Sequence, residues 1–247
     1  MSVRIAVSGA CGRMGRAIGR LAVEDRSLAV AEALSSPGSA DLGKDYGTIL
    51  GREALGVDVS ERLAGKADVL VDFSTPAATV QRLGECVRRK IPMVIGTTGF
   101  TDGQKRMVAA AARKIACVMS SNMSVGVNVL FRIAPEIAKL LGPGYDLDIV
   151  DIHHRFKKDA PSGTARTLAG RLARAAGRAA RIVSIRSGDA VGEHRILFGS
   201  IGDSVELVHR AGSRDIFALG ALRAAKWIAK RRPGLYTMLD VLSRVKP

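Results

Sequence analysis

Two histidines, a lysine and a helix-start motif lie close together in HHRFKKDAPSGTA, the segment that begins at His153. A histidine donates a proton near neutral pH, and Lys157 adds a compact positive charge four residues later. The amides and hydroxyls of Ser162, Gly163 and Thr164 predict an anion cradle where a helix begins. The segment therefore predicts a site that binds carboxylates and donates a proton; the alternative is an ordinary helix N-cap beside solvated basic residues.

A second candidate site lies at the amino end, where the apolar run VRIAVSG leads into Gly9, Gly12 and Gly15. Glycines allow a tight turn and a close approach of backbone amides to a pyrophosphate, and the helix that follows adds partial positive charge. The spacing G-x-x-G-x-x-G after a first strand predicts a dinucleotide site. Cys11 lies inside this loop, where we expect a small residue in a tight turn rather than a reactive thiol.

The end of the second predicted strand bears on the choice of dinucleotide. An NAD-selective site places an acid there, on the ribose hydroxyls. This chain has Ser35 and Ser36 instead, and the nearest acid, Glu32, lies inside the apolar run. Two serines with Arg13 nearby suit a 2′-phosphate better than a carboxylate would, so we expect NADPH to be preferred and NADH to be usable as well.

The elements that position these residues follow two periodicities. Short apolar runs alternate with helical segments of ten to fifteen residues up to about residue 120, which predicts βαβ units and a doubly wound, Rossmann-like parallel sheet. From Asn122 a long apolar helix (125–141), with a kink or break expected at Pro135, leads into closely spaced strands. We expect α/β architecture: a dinucleotide-binding domain of residues 1–123 with 215–247, and a second α+β domain with a mixed sheet at 124–214.

The composition narrows the function classes. The chain has 247 residues and a formal charge of +15, which favours anionic ligands. Only 4% of residues are aromatic, which argues against stacking on single-stranded bases, so we expect no specific nucleic-acid partner. No apolar stretch is long enough for a transmembrane helix, and the amino end lacks the regions of a signal peptide. With three widely spaced cysteines, these features predict a cytoplasmic protein without a membrane partner.

The remaining titratable residues are expected to be structural. His194 and His209 lie in strand-like runs, and the spacing of the four histidines offers no carboxylate or cysteine help for a metal, so no metal site is expected. Arg166, Arg171, Arg174, Arg178 and Arg181 recur along one side of a predicted helix, where we expect a solvated face rather than a nucleic-acid surface.

Taken together, these segments resemble the 4-hydroxy-tetrahydrodipicolinate (dihydrodipicolinate) reductase family. The resemblance covers nearly the whole chain, and its most specific part is the HH…K.DAPSGT string. The matching segments are GACGRMG (9–15), DFSTP (72–76), GTTGF (96–100), SSNMSVGVN (120–128), HHRFKKDAPSGTA (153–165) and VGEH (191–194).

The resemblance implies roles for individual positions. It implies that His153 is the general acid and Lys157 its partner in protonation. The implied pocket for a cyclic dicarboxylate consists of His154, Lys157, Ser162, Gly163, Thr164 and Thr98. The implied cofactor contacts, with the two serines above, are Gly9, Ala10, Cys11, Gly12, Arg13, Met14, Gly15, Phe73, Gly96, Thr97, Thr98, Ser120, Ser121, Asn122 and Met123.

The same resemblance implies NAD(P)H-dependent reduction of 4-hydroxy-tetrahydrodipicolinate to tetrahydrodipicolinate, in lysine and diaminopimelate biosynthesis. It also implies a homotetramer assembled through the sheet of the second domain. Two features depart from the family: a glycine- and arginine-containing loop before VGEH is shortened, and Met123 replaces an expected aromatic residue. On this reading, His153 and Lys157 must face the reduced ring of the cofactor.

Two alternatives remain open from the sequence. The first is a nucleotide-sensing binding protein that keeps the Rossmann fold without turnover, although such a protein needs no proton donor. The second is a reductase of another cyclic imine dicarboxylate, which would use the same site.

Overall fold

The computed structural model describes residues 2–243. Its internal contacts divide the chain into unit 1, which holds residues up to 123 and from 217 onward, and unit 2, which holds 124–216.

Strands and helices alternate along most of the chain. The strands are β1 Val3–Ser8, β2 Leu28–Leu34, β3 Val59–Ser60, β4 Val69–Asp72, β5 Met93–Ile95, β6 Ala116–Met119, β7 Asp146–His153, β8 Arg181–Arg186, β9 Glu193–Gly199, β10 Ser204–Arg210 and β11 Gly234–Tyr236. The helices are α1 Arg13–Glu24, α2 Tyr46–Ile49, α3 Pro76–Arg89, α4 Asp102–Ala112, α5 Val125–Leu141, α6 Gly163–Ala176, α7 Asp215–Ile228 and α8 Met238–Leu242.

Unit 1 contains a seven-stranded sheet in the order β11-β6-β5-β4-β1-β2-β3, with every pair parallel. The chain moves outward in one direction from β1 to β3 and in the other from β4 to β6. The strand order therefore reverses between β1 and β4, and in such sheets ligands bind beyond the carboxyl ends of the strands near this reversal. The predicted doubly wound parallel sheet is confirmed.

Local sequence signals account for the helix starts in unit 1. Thr75 caps α3 by accepting from the Ala78 amide, with Pro76 in the first turn, where its missing N–H costs nothing. Thr101 and Gln104 form a reciprocal capping box at the start of α4. These caps fix where the loops after β4 and β5 end, and those loops contain DFSTP and GTTGF.

Unit 2 contains a four-stranded sheet in the order β10-β9-β7-β8, in which β7 and β8 are parallel and the other pairs antiparallel. This is the mixed sheet expected from the sequence. Helices α5 and α6 pack on each other, and their apolar residues join the inner face of the sheet in one core that includes Phe131, Ile149, Leu168, Leu172 and Phe198. Alternate residues of β7 are buried, so Asp151 points to the same side as Ile149.

Some expectations differ from the structure. α5 continues through Pro135 without a break, because the buried Phe131, Ala134 and Ala138 on either side of the proline pack into one core. The short elements α2, β3, β11 and α8 carry too little periodicity to be predicted. Among them, β11 follows the Pro233-Gly234 break and adds in parallel to β6.

Candidate functional site

The glycine loop of unit 1 is built so that backbone, not side chains, lines it. Gly9 has a φ of +76°, and a Cβ there would lie 2.4 Å from the Phe73 carbonyl oxygen. A Cβ on Gly15 would lie 2.2 Å from the Gly9 carbonyl oxygen. Gly12 is the N-cap of α1 and offers no side chain to cap the amides of the first turn. The loop therefore fits a pyrophosphate, whose oxygens accept from amides at a helix N-terminus.

A buried tyrosine supports this loop from below. Tyr46 is fully buried, and its hydroxyl donates to the Gly15 carbonyl at 2.7 Å and lies 3.4 Å from that of Ala10. Its ring occupies the space that a Cβ on Gly19 would need, at 2.4 Å from the hydroxyl oxygen. Burial is the main cause that raises the pKa of Tyr46, so the hydroxyl remains a donor. Sequence analysis missed Tyr46. The sequence signal for it was Gly19, a fourth glycine that follows Gly9, Gly12 and Gly15.

The loops after β4 and β5 are tied together by Asp72, which is fully buried. Hydroxyls of Ser74, Thr79 and Thr97 donate to its carboxylate, at 2.7 Å for Ser74 and 2.9 Å for Thr97. The Ser74 amide donates in turn to the Thr97 hydroxyl at 3.0 Å. The side chain of Thr97 is thus committed to the protein, which leaves its backbone for a ligand.

Phe73 lies against Gly96, because a Cβ at Gly96 would meet the Phe73 ring at 2.2 Å. The exposed Thr98 follows in the same loop. All these predicted residues lie beyond the carboxyl ends of β4 and β5, next to the glycine loop that follows β1.

The end of β2 shows why Glu32 is not a ribose ligand. Its buried carboxylate accepts from the amides of Ala64, Gly65 and Lys66 and so holds the loop before β4. Ser35, which is half-buried, and Ser36, which is exposed, follow β2.

An acid missed in the sequence lies near the same place. The thiol of Cys11 contacts both Ser35 and Asp41, and burial is the first cause that raises the pKa of this thiol. A raised pKa lowers the thiolate fraction, which agrees with Cys11 as a small loop residue. Asp41 is paired with Lys44 at 3.0 Å and lies 3.7 Å from Arg16. These two cations offset its charge.

The other residues of unit 1 that were predicted to bind the cofactor are placed as follows. Ala10 is fully buried, Met14 is half-buried and Arg13 is exposed at the first position of α1. After β6, the Ser120 hydroxyl donates to the Asn122 carbonyl at 2.8 Å. Ser121 is exposed, and Met123 is buried at the end of this unit.

In unit 2, His153 lies at the carboxyl end of β7 beside a buried carboxylate that sequence analysis missed. The Nδ1 atom of His153 is 3.0 Å from Oδ1 of Asp151, a residue with no exposed side-chain surface. Nε2 of His194, on β9, lies 3.3 Å from the same oxygen. The sequence does contain a signal for Asp151. Buried and less buried positions alternate along β7, and Asp151 occupies a buried position two residues before His153.

The other oxygen of Asp151 has a different set of neighbours. Oδ2 accepts from the Ser162 amide at 2.9 Å, from Arg186 at 3.0 Å and from the Ser184 hydroxyl at 3.3 Å. Burial acts to raise the pKa of Asp151, but the contacts of His153, His194 and Ser162 outweigh it and hold the pKa below the usual carboxyl range. Asp151 is therefore a carboxylate at neutral pH.

Lys157 and His154 lie in the loop that follows β7. The Lys157 ammonium donates to Asp159 at 2.8 Å, and this pairing is the first cause that lowers the pKa of Asp159. Lys157 retains 23% side-chain exposure, so its other two donors can meet a ligand. His154 packs beside the exposed Phe156 ring, with the two ring centroids 6.3 Å apart.

Ser162 caps α6, but its polar groups already have protein partners. Its hydroxyl accepts from the Ala165 amide and lies 3.2 Å from His194 Nε2, while its amide donates to Asp151. Gly163, which is exposed, and the half-buried Thr164 form the part of the predicted cradle at the surface of unit 2. Ser162 thus links the start of α6 to the histidine cluster.

Asp151, His153 and His194 also form a group whose potential ligand atoms lie within 4.8 Å of one another. The sequence spacing gave no hint that a carboxylate would join the histidines. Arg186 already pairs with this carboxylate, so a divalent cation would lie close to a fixed positive charge. We interpret the group as an ion-paired hydrogen-bond network.

The arginines expected on a solvated face make more protein contacts than that expectation implied. Arg171 lies over the Phe131 ring at 5.4 Å, Arg178 donates to the Tyr145 carbonyl, and Arg181, in β8, pairs with Asp148 at 2.7 Å.

His209 lies 3.4 Å from the Ser124 hydroxyl, and desolvation is the main cause that lowers the pKa of His209. Among the described residues, no helix meets the length and apolarity needed to cross a membrane.

Comparisons with known proteins cover both units. The family model for "Dihydrodipicolinate reductase, N-terminus" matches residues 3–123, and the one for the C-terminus matches 126–242. The 4-hydroxy-tetrahydrodipicolinate reductase of Anaeromyxobacter dehalogenans is 46% identical to this chain, with 97% of each covered. That of Rubrobacter xylanophilus is also 46% identical, with 98% of each covered.

Two solved structures are similar in fold. A dipicolinate-bound dihydrodipicolinate reductase from Paenisporosarcina sp. TG-14 superposes with a TM-score of 0.83 at 24% identity, covering 98% of this chain and 100% of its own. An amine dehydrogenase from Mycobacterium smegmatis gives a TM-score of 0.70 at 12% identity, covering 100% of this chain and 98% of its own.

Proposed function

The chain belongs to the dihydrodipicolinate reductase family, and on that premise we propose how its residues carry out the family's reaction. It is an NAD(P)H-dependent oxidoreductase that reduces 4-hydroxy-tetrahydrodipicolinate to tetrahydrodipicolinate in lysine and diaminopimelate biosynthesis. The proposal assigns the proton, the substrate carboxylates and the cofactor to separate groups of residues.

His153 donates the proton. The observation that carries this assignment is the buried carboxylate 3.0 Å from its Nδ1, which orients the imidazole. Because Nδ1 faces Asp151, Nε2 is the nitrogen left to donate. The side chain of His153 is 12% exposed, so a substrate can reach it while water has limited access.

The substrate carboxylates bind to cationic and helix-terminal groups. Lys157 supplies charge, and Gly163 and Thr164 supply groups at the positive end of α6. His154 lies at the edge of this group. Ser162 contributes by holding the first turn of α6 in place, since its own amide and hydroxyl are engaged within unit 2.

The glycine loop and the ends of β4, β5 and β6 bind the dinucleotide. NAD(P)H, when bound, supplies the hydride. The side-chain-free cradle at Gly9, Gly12 and Gly15 holds the pyrophosphate, and Tyr46 and Asp72 keep the surrounding backbone in place. We assign a preference for NADPH over NADH, because Ser35 and Ser36 carry no charge where an acid would repel a 2′-phosphate.

We also propose a homotetramer that forms through the face of the second sheet turned away from α5 and α6. This face bears exposed apolar side chains, with Val183, Ile185 and Val208 retaining 45%, 41% and 37% exposure. Apolar side chains grouped on an open sheet face mark an association surface. Light scattering of Val183→Lys and Ile185→Lys, compared with wild type, tests this: the predicted result is a smaller assembly, and an unchanged tetramer contradicts it.

The compartment proposed is the cytoplasm. Cys11, Cys86 and Cys117 are free thiols, and burial raises the pKa of Cys117 to about 12. Free thiols are typical of reducing compartments. Fractionation of the source cells with an antibody to this chain checks the assignment.

The test of function uses purified protein, NADPH and freshly generated 4-hydroxy-tetrahydrodipicolinate, with product identified by mass spectrometry. Steady NADPH oxidation with formation of tetrahydrodipicolinate supports the proposal. NADPH binding without turnover identifies a nucleotide sensor. Turnover only with another cyclic imine dicarboxylate changes the substrate and leaves the site assignments intact.

A further inference from the structure

A row of polar side chains crosses the second sheet beneath its two helices. Strand register places Ser184, Asp151, His194 and His209 side by side on β8, β7, β9 and β10. Asp151 lies in the middle of this row, two residues before His153 and on the same side of β7. Asp151 therefore has polar neighbours on both sides, and each of its two carboxylate oxygens contacts a different set of them.

The oxygen Oδ2 is fully committed. It accepts from the Ser162 amide and from Arg186, and the Ser184 hydroxyl completes its surroundings at 3.3 Å. These hydrogen bonds fix the carboxylate plane, because the amide belongs to the first turn of α6 and the guanidinium is also held by the Asp151 carbonyl at 3.1 Å.

The oxygen Oδ1 of Asp151 faces two imidazole rings. His153 Nδ1 lies 3.0 Å away and His194 Nε2 lies 3.3 Å away, yet within residues 2–243 neither Oδ1 nor His153 Nδ1 has a hydrogen-bond partner in line. Catalytic hydrogen bonds are often bent without substrate and straighten in the complex. A buried carboxylate oxygen without an aligned donor is costly, which favours a charged imidazole beside it.

We propose that Asp151 is a positioning residue for the proton donor: its Oδ1 keeps a proton on Nδ1 of His153 and leaves Nε2 to deliver the other. This inference rests on the proposed role of His153. In each turnover, the Nε2–H bond breaks and that proton passes to the substrate. His153 becomes neutral with Nδ1–H in place, Asp151 stays a carboxylate, and a proton from water restores the imidazolium.

Other titratable and charged groups near His153 also act on its protons. The His194 ring meets it edge-on with centroids 5.3 Å apart, and Arg186 from β8 is paired with Oδ2. In the following loop, Lys157 and Asp159 are paired with each other. Both imidazoles face the same carboxylate oxygen, where two imidazolium ions would repel each other.

The structure predicts how an amide would behave at this position. In Asp151→Asn, the single oxygen takes the Oδ2 position, where Ser162 and Arg186 both donate. The NH2 group then faces His153 Nδ1 as a donor, so neutral His153 must carry its proton on Nε2. The imidazolium also loses the carboxylate that faces its Nδ1.

The experiment measures the four histidines of the ligand-free enzyme by NMR, with nitrogen-15-labelled histidine, across a pH titration. In wild type we expect neutral His153 as the Nδ1–H tautomer. In Asp151→Asn we expect the Nε2–H tautomer. The matched control is Asp203→Asn, in the β9–β10 turn at the other end of the sheet, which leaves the tautomer of His153 unchanged.

A second variant keeps the proposal testable if the asparagine variant does not fold. Arg186→Gln removes the positive charge from Oδ2, so the carboxylate interacts more strongly with the imidazoles and the alkaline limb of kcat/KM moves to higher pH. A folded Asp151→Asn protein that keeps the wild-type tautomer of His153, or a folded Arg186→Gln protein whose alkaline limb is unmoved, overturns the proposal.

Kinetics provide the second readout. A proton donor must be protonated, so activity falls as pH rises through its pKa, and the alkaline limb of kcat/KM moves to lower pH in Asp151→Asn. An unmoved limb despite a changed tautomer of His153 overturns the link between Asp151 and the reaction. Absence of turnover in the wild type overturns the proposed function instead, and the NMR result is independent of it.

Discussion

A single methyl group at Gly192 tests the geometry of the proton donor. Gly192 does not have a positive φ, so backbone conformation does not require a glycine there. A Cβ at this position would lie 3.0 Å from Nε2 of His153, 3.4 Å from Cδ2 and 3.8 Å from Cε1. Glycine is therefore needed for space next to the nitrogen that donates.

The size of the effect follows from these distances. Ordinary contacts of a methyl group begin near about 3.4 Å, so in Gly192→Ala the ring must shift by roughly 0.5 Å or keep the methyl against Nε2. Misplacement by about 1 Å costs on the order of a hundredfold in rate. We therefore expect kcat to fall about tenfold, with NADPH affinity unchanged because the cofactor loops belong to unit 1.

Gly199→Ala is the matched control. Gly199 lies at the other end of the same strand, β9, also without a positive φ, and a Cβ there meets nothing within 4 Å. Both alanines reduce the entropy of the unfolded chain, so stability changes by less than about 1 kcal/mol in the control. The measurement is kcat for NADPH oxidation with both variants. A kcat of Gly192→Ala within twofold of that of Gly199→Ala refutes the placement of Nε2.

Three further predictions concern unit 1. Tyr46→Phe leaves the Gly15 carbonyl without its buried donor; urea unfolding should show a loss of about 1–2 kcal/mol, and a titration should show weaker NADPH binding, whereas unchanged values contradict the support role. Ser35→Glu should weaken NADPH relative to NADH by about tenfold, and an unchanged ratio of the two KM values contradicts the ribose assignment. Lys226 is the first cause that lowers the pKa of Asp25 from 3.8 to about 2, so Asp25 stabilises the fold at neutral pH and this contribution is lost as the pH falls through about 2. Because Asp25 is partly exposed, Asp25→Asn should cost about 1 kcal/mol at pH 7 in urea unfolding, and a difference from wild type that is as large at pH 2 as at pH 7 contradicts the pairing.

The sequence predicted most of the fold because its long elements have clear periodicity. The limits of α5 were predicted at residues 125–141, where only the effect of Pro135 was wrong. A proline ends a helix when the two halves have separate surroundings, and here one buried face includes both. β11 could not be predicted, because its partner β6 is distant in sequence and only three residues pair.

The sequence analysis named residues of recognisable type and missed two buried side chains that support them. His153, Lys157 and the glycine loop carry recognisable residue types at short spacings. Asp151 and Tyr46 act through contacts with residues that strand pairing and loop packing bring near, and spacing along the chain does not contain that information. His194 was expected to be structural, and its contacts with Asp151 and Ser162 come from the pairing of β7 with β9.

Proton donation by His153 is the centre of this account, and His153→Gln tests it most directly. The measurement is kcat/KM for 4-hydroxy-tetrahydrodipicolinate from pH 6 to 9, together with NADPH binding to the same preparation. We predict a loss of about a hundredfold or more with NADPH affinity retained, and no alkaline limb in the residual activity. Turnover within a few-fold of wild type, with the same pH profile, would contradict the account.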